Sequence, residues 1–97
     1  MHVISEKKLR EFWEQWPEAE SPLRAWHRAA ERATWGCFAD VREVYPHADQ
    51  VGRCTVFNIA GNKFRLVVVT HFDRGKVYVR HVMTHEEYDR GLWKGDC

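Results

Sequence analysis

The residues Cys54-Thr55-Val56-Phe57-Asn58-Ile59, then Ala60-Gly61-Asn62, then Lys63-Phe64-Arg65-Leu66-Val67-Val68-Val69-Thr70-His71-Phe72 decide the fold class. Both flanks are rich in β-branched and aromatic residues, and the Gly-Asn-containing link between them has the length of a hairpin loop. A second link, Asp73-Arg74-Gly75, leads into Lys76 to Met83, where Val77 and Val79 alternate with Tyr78 and Arg80. Three strands with links this short form an antiparallel meander, because a parallel crossover needs a dozen residues or more.

Upstream of Gly52 the apolar period is that of a helix. Ser5 can cap a segment in which Leu9, Phe12, Trp13 and Trp16 fall on one face, and Pro17 stops it. Ser21 and Pro22 read as an N-cap with proline at the first helical position. Leu23, Trp26, Ala29, Ala30 and Ala33 then repeat at helical spacing until Trp35-Gly36. Asp40 to Tyr45 fits a short third helix interrupted by Pro46. The expected class is α+β: an N-terminal helical hairpin packed on one face of a small antiparallel β-sheet, followed by a short C-terminal helix.

Ninety-seven residues, 44% of them hydrophobic and including five Trp and five Phe, suit one domain spanning 1–97 with a single core. The formal charge of +1, from 15 Lys and Arg against 14 Asp and Glu, excludes a polybasic body that holds nucleic acid by bulk charge. The charge is uneven, however. Residues 1–52 carry seven basic against nine acidic side chains and residues 53–97 carry eight against five, so an anionic ligand is expected to meet the second half. The longest apolar stretch, Leu66 to Val69, falls far short of the ~20 residues of a membrane span. The opening Met1-His2-Val3-Ile4-Ser5-Glu6-Lys7-Lys8 turns polar too soon for a signal peptide, so no membrane association and a cytoplasmic location are expected. Cys37, Cys54 and Cys97, odd in number and widely spaced without a CxxC pair, read as reduced thiols.

Strand alternation assigns the faces. Phe57, Ile59, Phe64, Leu66, Val68, Val77 and Val79 form an apolar side that seats the helices, with His81 on that side too. The other side, with Asn58, Arg65, Val67, Val69, Tyr78, Arg80, Val82 and Thr84, is expected to be open, with Arg65 between Asn58 and Thr84. Two arginines on an uncovered strand face are often merely solvated. Set between hydrogen-bonding side chains and valines, though, the Arg65 guanidinium fork can grip a phosphate.

Thr84-His85-Glu86-Glu87 is a capping box, with Met83 and Tyr88 at the positions of a hydrophobic staple, so a helix is expected to begin there. His85 then sits at its first residue, where backbone N–H groups favour an anion and an imidazole beside a phosphate can act as general base. A zinc site gathering His71, His81 and His85 with Cys54 or Cys97 is the competing use of these histidines. Strand parity separates His81 from the others, and no metal or cofactor is expected.

The strings Val56-Phe57-Asn58-Ile59-Ala60-Gly61-Asn62-Lys63-Phe64-Arg65-Leu66 and Tyr78-Val79-Arg80-His81-Val82-Met83-Thr84-His85-Glu86-Glu87-Tyr88-Asp89 resemble the HigB family of type II toxin–antitoxin toxins, and the likeness runs over nearly the whole chain. The resemblance implies a RelE-like fold and a metal-independent mRNA interferase that cuts messenger on the translating ribosome. It also implies neutralisation by a HigA-type antitoxin with a helix-turn-helix domain. Carried onto this chain, Arg65 and Arg80 would steady the phosphate oxygens, and His85 and Tyr88 would handle protons or position the substrate. Asn58, Asn62, Lys63 and Thr84 would make further RNA contacts. The alternative is a non-catalytic RNA- or protein-binding domain using the same basic face. A small DNA-binding regulator fits less well, because no recognition helix with clustered basic and polar residues is evident.

Overall fold

Three runs of six or more residues rich in β-branched and aromatic side chains pair with one another, and the rest of the molecule is arranged around them. In the computed structural model, which describes residues 1–97 throughout, these runs are β3 (Cys54–Ile59), β4 (Phe64–His71) and β5 (Lys76–Thr84). They form the expected antiparallel meander, with Asn58 opposite Arg65 and Leu66 opposite both Phe57 and Val82. Two strands of three residues each extend it: β1 (His2–Ile4), parallel to β5, and β2 (Asp49–Val51), antiparallel to β3. The sheet therefore has five strands in the order β1-β5-β4-β3-β2, where sequence alternation reveals three.

The helices are α1 (Glu6–Gln15), α2 (Glu20–Arg32), α3 (Phe38–Val44) and α4 (His85–Arg90), with short 3₁₀ segments at Pro17–Ala19 and Leu92–Asp96. Pro17 does end α1, but the 3₁₀ turn it starts runs straight into α2, so Ser21 lies within the helix rather than capping it. Ser5 occupies the N-cap position of α1 with φ of 58° and makes no side-chain cap bond. The capping box at α4 forms in full: Thr84 Oγ1 accepts from Glu87 N, and Glu87 Oε1 accepts from Thr84 N.

Leu9, Trp13, Leu23, Trp26, Ala30 and Val41 from the helices meet Phe57, Ile59, Phe64, Leu66, Val68, Val77 and Val79 from one sheet face in a core of seventeen buried residues. Trp26 and Phe57 pack edge to face at its centre, their centroids 5.4 Å apart. No helix is long and apolar enough to cross a membrane.

Three expectations need correction. The register of β4 with β5 slips by one residue between Val67, opposite His81, and Val68, opposite Val79, leaving Arg80 as the extra residue of a bulge. One extra residue inverts the alternation beyond it. Arg65 thus faces Met83 rather than Thr84, His81 moves to the Arg65 side, and Val82 packs against the helix-side core. The second sheet face is also covered. Trp93, from the 3₁₀ segment, is buried there with Cys54, Val56, Val67, Val69 and Met83, and Tyr88 of α4 packs against the same group. Finally, Cys54 and Cys97 are joined in a disulfide across 43 residues, leaving only Cys37 as a free thiol.

Candidate active site

Arg65 enters β4 one residue past the β3–β4 turn, and alternation sends it to the second face, where it is only 8% exposed. A guanidinium buried to that degree needs partners. Nη1 donates to the carbonyl oxygens of Asn62 (3.2 Å) and Phe64 (3.1 Å), and Nη2 reaches Asn62 Oδ1 at 3.5 Å. The turn that supplies these acceptors opens with two residues in left-handed backbone, Ala60 and Gly61. Above the guanidinium lies the ring of Tyr88, 5.2 Å from Arg65 Cζ, and Tyr88 is itself stacked at 5.0 Å on Trp93. Trp93 Nε1 donates to Tyr88 O at 3.0 Å, which fixes the indole against the end of α4. The result is a stack of arginine, phenol and indole, in which the cation meets the negative face of the Tyr88 ring.

Arg65 Nε has no protein partner, yet it is not among the buried unsatisfied atoms, of which Trp26 Nε1 is the only one. It is therefore open to solvent. A guanidinium anchored on one side by carbonyls and open on another can receive one oxyanion in a fixed orientation.

His85 begins α4, and its backbone N–H donates to Lys63 O at 3.0 Å, which ties the helix start to the same turn that anchors Arg65. Its imidazole is half exposed, with Nε2 3.4 Å from Asp89 Oδ2 one helical turn on. On the other flank, His47, Asn58, Gly61 and Asn62 line an open groove with no apolar wall. His47 reaches it because the pairing of Asp49 with Val56, carried two residues back along the chain, sets it beside Asn58. A row of His47, Asn58 and Arg65 thus crosses three adjacent chain segments on one face.

The other residues expected at the site are placed differently. Arg80 sits in the bulge about 10 Å along β5 from Met83, the partner of Arg65. Its carbonyl accepts from Lys8 Nζ, and it borders a groove with Lys8, Glu11 and Gln15 of α1. Lys63 is ion-paired with Glu18 at 2.7 Å on the α1 side, an exposed contact of small energetic weight. Thr84 uses its hydroxyl in the capping box. Arg65, Tyr88, His85, Asn58 and Asn62 come together around one turn, and Arg80 and Lys63 lie to its side.

Sequence reasoning missed His47, Asp89 and Trp93. The i, i+4 spacing of His85 and Asp89 was a readable signal for their pairing. For His47, beside Pro46 in a loop, no local pattern marks the role. No group of three His, Cys, Asp or Glu side chains is placed to hold a metal ion. Two imidazoles, one carboxylate-paired, with a phenol and a half-anchored guanidinium make an arrangement suited to moving protons at a phosphodiester.

A family described as the HigB toxin, a RelE-like toxic component of a toxin–antitoxin system, matches residues 19–91. The chain is 33% identical to the mRNA interferase toxin HigB of Escherichia coli K12 over 92 residues, covering 92% of this chain and 88% of that protein. The mRNA interferase HigB of Shigella flexneri is equally similar, 33% over 92 residues with the same coverage. An mRNA interferase HigB of Escherichia coli O6:H1 is 24% identical over 93 residues, 93% of this chain and 90% of the relative.

Proposed function

The chain belongs to the HigB toxin family of toxin–antitoxin systems, and from that membership we propose that it is an endoribonuclease that cleaves messenger RNA and so arrests translation and growth. The observation that carries this reading is Arg65: buried under Tyr88, held by turn carbonyls, with Nε open to solvent beside a groove of amide and imidazole groups.

The reaction is attack of a ribose 2′-OH on the adjacent phosphorus. A base removes the 2′-OH proton, an acid returns a proton to the departing 5′ oxygen, and the products are a 2′,3′-cyclic phosphate and a 5′-OH end. Arg65 holds a non-bridging oxygen through its free N–H groups and offsets the charge that builds on it. His85, oriented by Asp89, is one proton carrier, and His47 on the opposite flank is the other. Tyr88 fixes the guanidinium plane and presents its hydroxyl to the same phosphate. Asn58 and Asn62 contact the flanking nucleotide, and Arg80, Lys63 and Thr84 contact RNA outside the reacting step. Every role is filled by a side chain, so cleavage needs no metal.

A toxin of this family is one component of a toxin–antitoxin system, and the antitoxin that neutralises this chain is here proposed to be of the HigA type with a helix-turn-helix domain. The substrate is messenger RNA on the translating ribosome in the cytoplasm. The test is incubation of the purified chain with messenger on bacterial ribosomes in excess EDTA, followed by analysis of product ends. Cyclic phosphate and 5′-OH ends are expected. RNA binding without new ends would replace the enzyme by a non-catalytic binding domain.

A further inference from the structure

The segment that follows α4 is tied down in an unusual way. Gly91, with φ of 74°, turns the chain back over the second sheet face, and Leu92 on that segment is 84% exposed while its neighbour Trp93 is 4% exposed. Beyond Trp93 the contacts are few. Arg53 donates from N to Cys97 O and from Nε to Asp96 O, both at 3.2 Å, and His81 Nε2 meets Asp96 Oδ2 at 2.6 Å. These are exposed ties of small weight. The remaining tie is covalent: Cys97, partly exposed, is bonded to Cys54, which is fully buried beside Trp93 on the same face as Arg65.

We infer that Cys54 and Cys97 form a thiol–disulfide modification site that controls the candidate active site by fixing Trp93 behind Tyr88. This inference rests on the ribonuclease reading. The path is short and physical: the disulfide holds residues 91–97 on the sheet, Trp93 stacks on Tyr88, and Tyr88 covers Arg65. In the dithiol form the segment keeps the burial of Trp93, the bond from Trp93 Nε1 to Tyr88 O and a few polar ties at Arg53 and His81, but loses its one covalent tie, so it opens locally more often. Each opening removes the backing of Tyr88 and loosens the orientation of Arg65 that the reaction needs. The oxidised chain is the faster enzyme.

The exchange balances with partners of ordinary chemistry. A thiolate of a dithiol reductant attacks Cys97 Sγ, on the partly exposed rather than the fully buried residue of the pair, and expels the Cys54 thiolate, which takes up a proton. The second thiol of the reductant then resolves the mixed disulfide, leaving two protein thiols and a reductant disulfide. A low-molecular-weight disulfide such as oxidised glutathione reverses the process, taking the two electrons. Because cytoplasmic thiols keep most protein cysteines reduced, the faster form is reached under oxidising conditions.

The experiment uses a Cys37→Ser background, which removes the free thiol. Cleavage of messenger on bacterial ribosomes and hydrogen exchange at residues 88–97 are measured on the oxidised protein, after dithiol treatment, and after reoxidation with glutathione disulfide. Expected are a three- to tenfold lower kcat on reduction with little change in KM, faster exchange at Trp93 and Tyr88, and reversal of both. A Cys97→Ser chain is expected to behave as the reduced form under all conditions. Equal cleavage in both redox states overturns the inference even if exchange changes, and so does a redox response that persists in Cys97→Ser. If the oxidised chain cuts no RNA, the ribonuclease reading is what fails, and unchanged exchange at Trp93 and Tyr88 would then overturn the latch as well.

Discussion

The two faces of the sheet are built on different terms. The helix side gathers seventeen buried residues from three helices, four strands and the segments that link them, whereas the opposite side gathers six, one of them on a segment of 3₁₀ helix held by a disulfide. At about 25 cal/mol per Å² of apolar surface removed from water, the first face supplies most of the folding free energy. The second face holds Arg65, Tyr88, Trp93 and the groove of His47, Asn58 and Asn62. Separating the two lets polar and strained groups be kept at the site without endangering the fold.

The comparison is most easily broken with tryptophans. Trp26→Ala, at the centre of the large core, is expected to cost about 4 kcal/mol in urea unfolding. Trp93→Ala in the dithiol chain is expected to cost only about 1–2 kcal/mol, because the segment carrying it, freed of the disulfide, can open alone, yet to slow cleavage by loosening Tyr88. Equal stability losses would erase the distinction between the faces.

Arg65→Lys sharpens it next. The ammonium keeps the charge but has its three donors on one compact centre, so it cannot grip the turn carbonyls on one edge and present a separate fork to a phosphate on another. The expected result is a fall in cleavage rate of roughly 10²-fold with a stability loss of about 1.5 kcal/mol, measured on the same preparation. Because Arg65 is buried and bonded to the turn, the alanine variant is a poorer probe: it unfolds the question along with the site.

How much of this was legible depended on length and parity. β3 is readable to the residue from Cys54 to Ile59, because a short run rich in β-branched and aromatic residues is bounded by Gly52 on one side and by Ala60-Gly61-Asn62 on the other. β1 and β2, at three residues each, are too short to show any period. The α4 start is readable from Thr84 and Glu87 alone, since a capping box is a local device. The bulge at Arg80 is not, because no glycine or other local mark accompanies the extra residue and only its pairing with β4 reveals it. The same long-range character hides the Cys54–Cys97 bond and the covering of the second face. Arg65 could be singled out from its strand neighbours and Tyr88 as the staple of α4, its site role coming from the family resemblance, while His47 required the β2–β3 register to bring it to Asn58.

The turn beneath the site offers a smaller effect. Ala60 has φ of 55°, a left-handed conformation that a side chain resists. Ala60→Gly is expected to raise stability by up to about 1 kcal/mol by relieving that strain, with cleavage unchanged; a lowered midpoint in urea would show that the turn is not strained.

The smallest effect belongs to the helix side. Burial against Phe57 pushes the Tyr45 phenol above its ordinary pKa. The folded state therefore favours the protonated phenol, and the associated stability is complete below about pH 10 and lost as the pH climbs through the raised value. Tyr45→Phe is expected to unfold less readily than the parent above about pH 10, with no change in cleavage at neutral pH.

The most direct test of the central claim is the mapping of new 5′ ends on messenger RNA after the chain is induced in a bacterial host, for the parent and for His85→Ala. The imidazole of His85 is half exposed and pairs only with the exposed Asp89 one turn on in the same helix, so the variant is expected to keep its stability within about 0.5 kcal/mol and to lose the new ends and the growth arrest together. New ends at undiminished frequency in a folded His85→Ala chain would contradict the assignment of proton transfer to this face of the sheet.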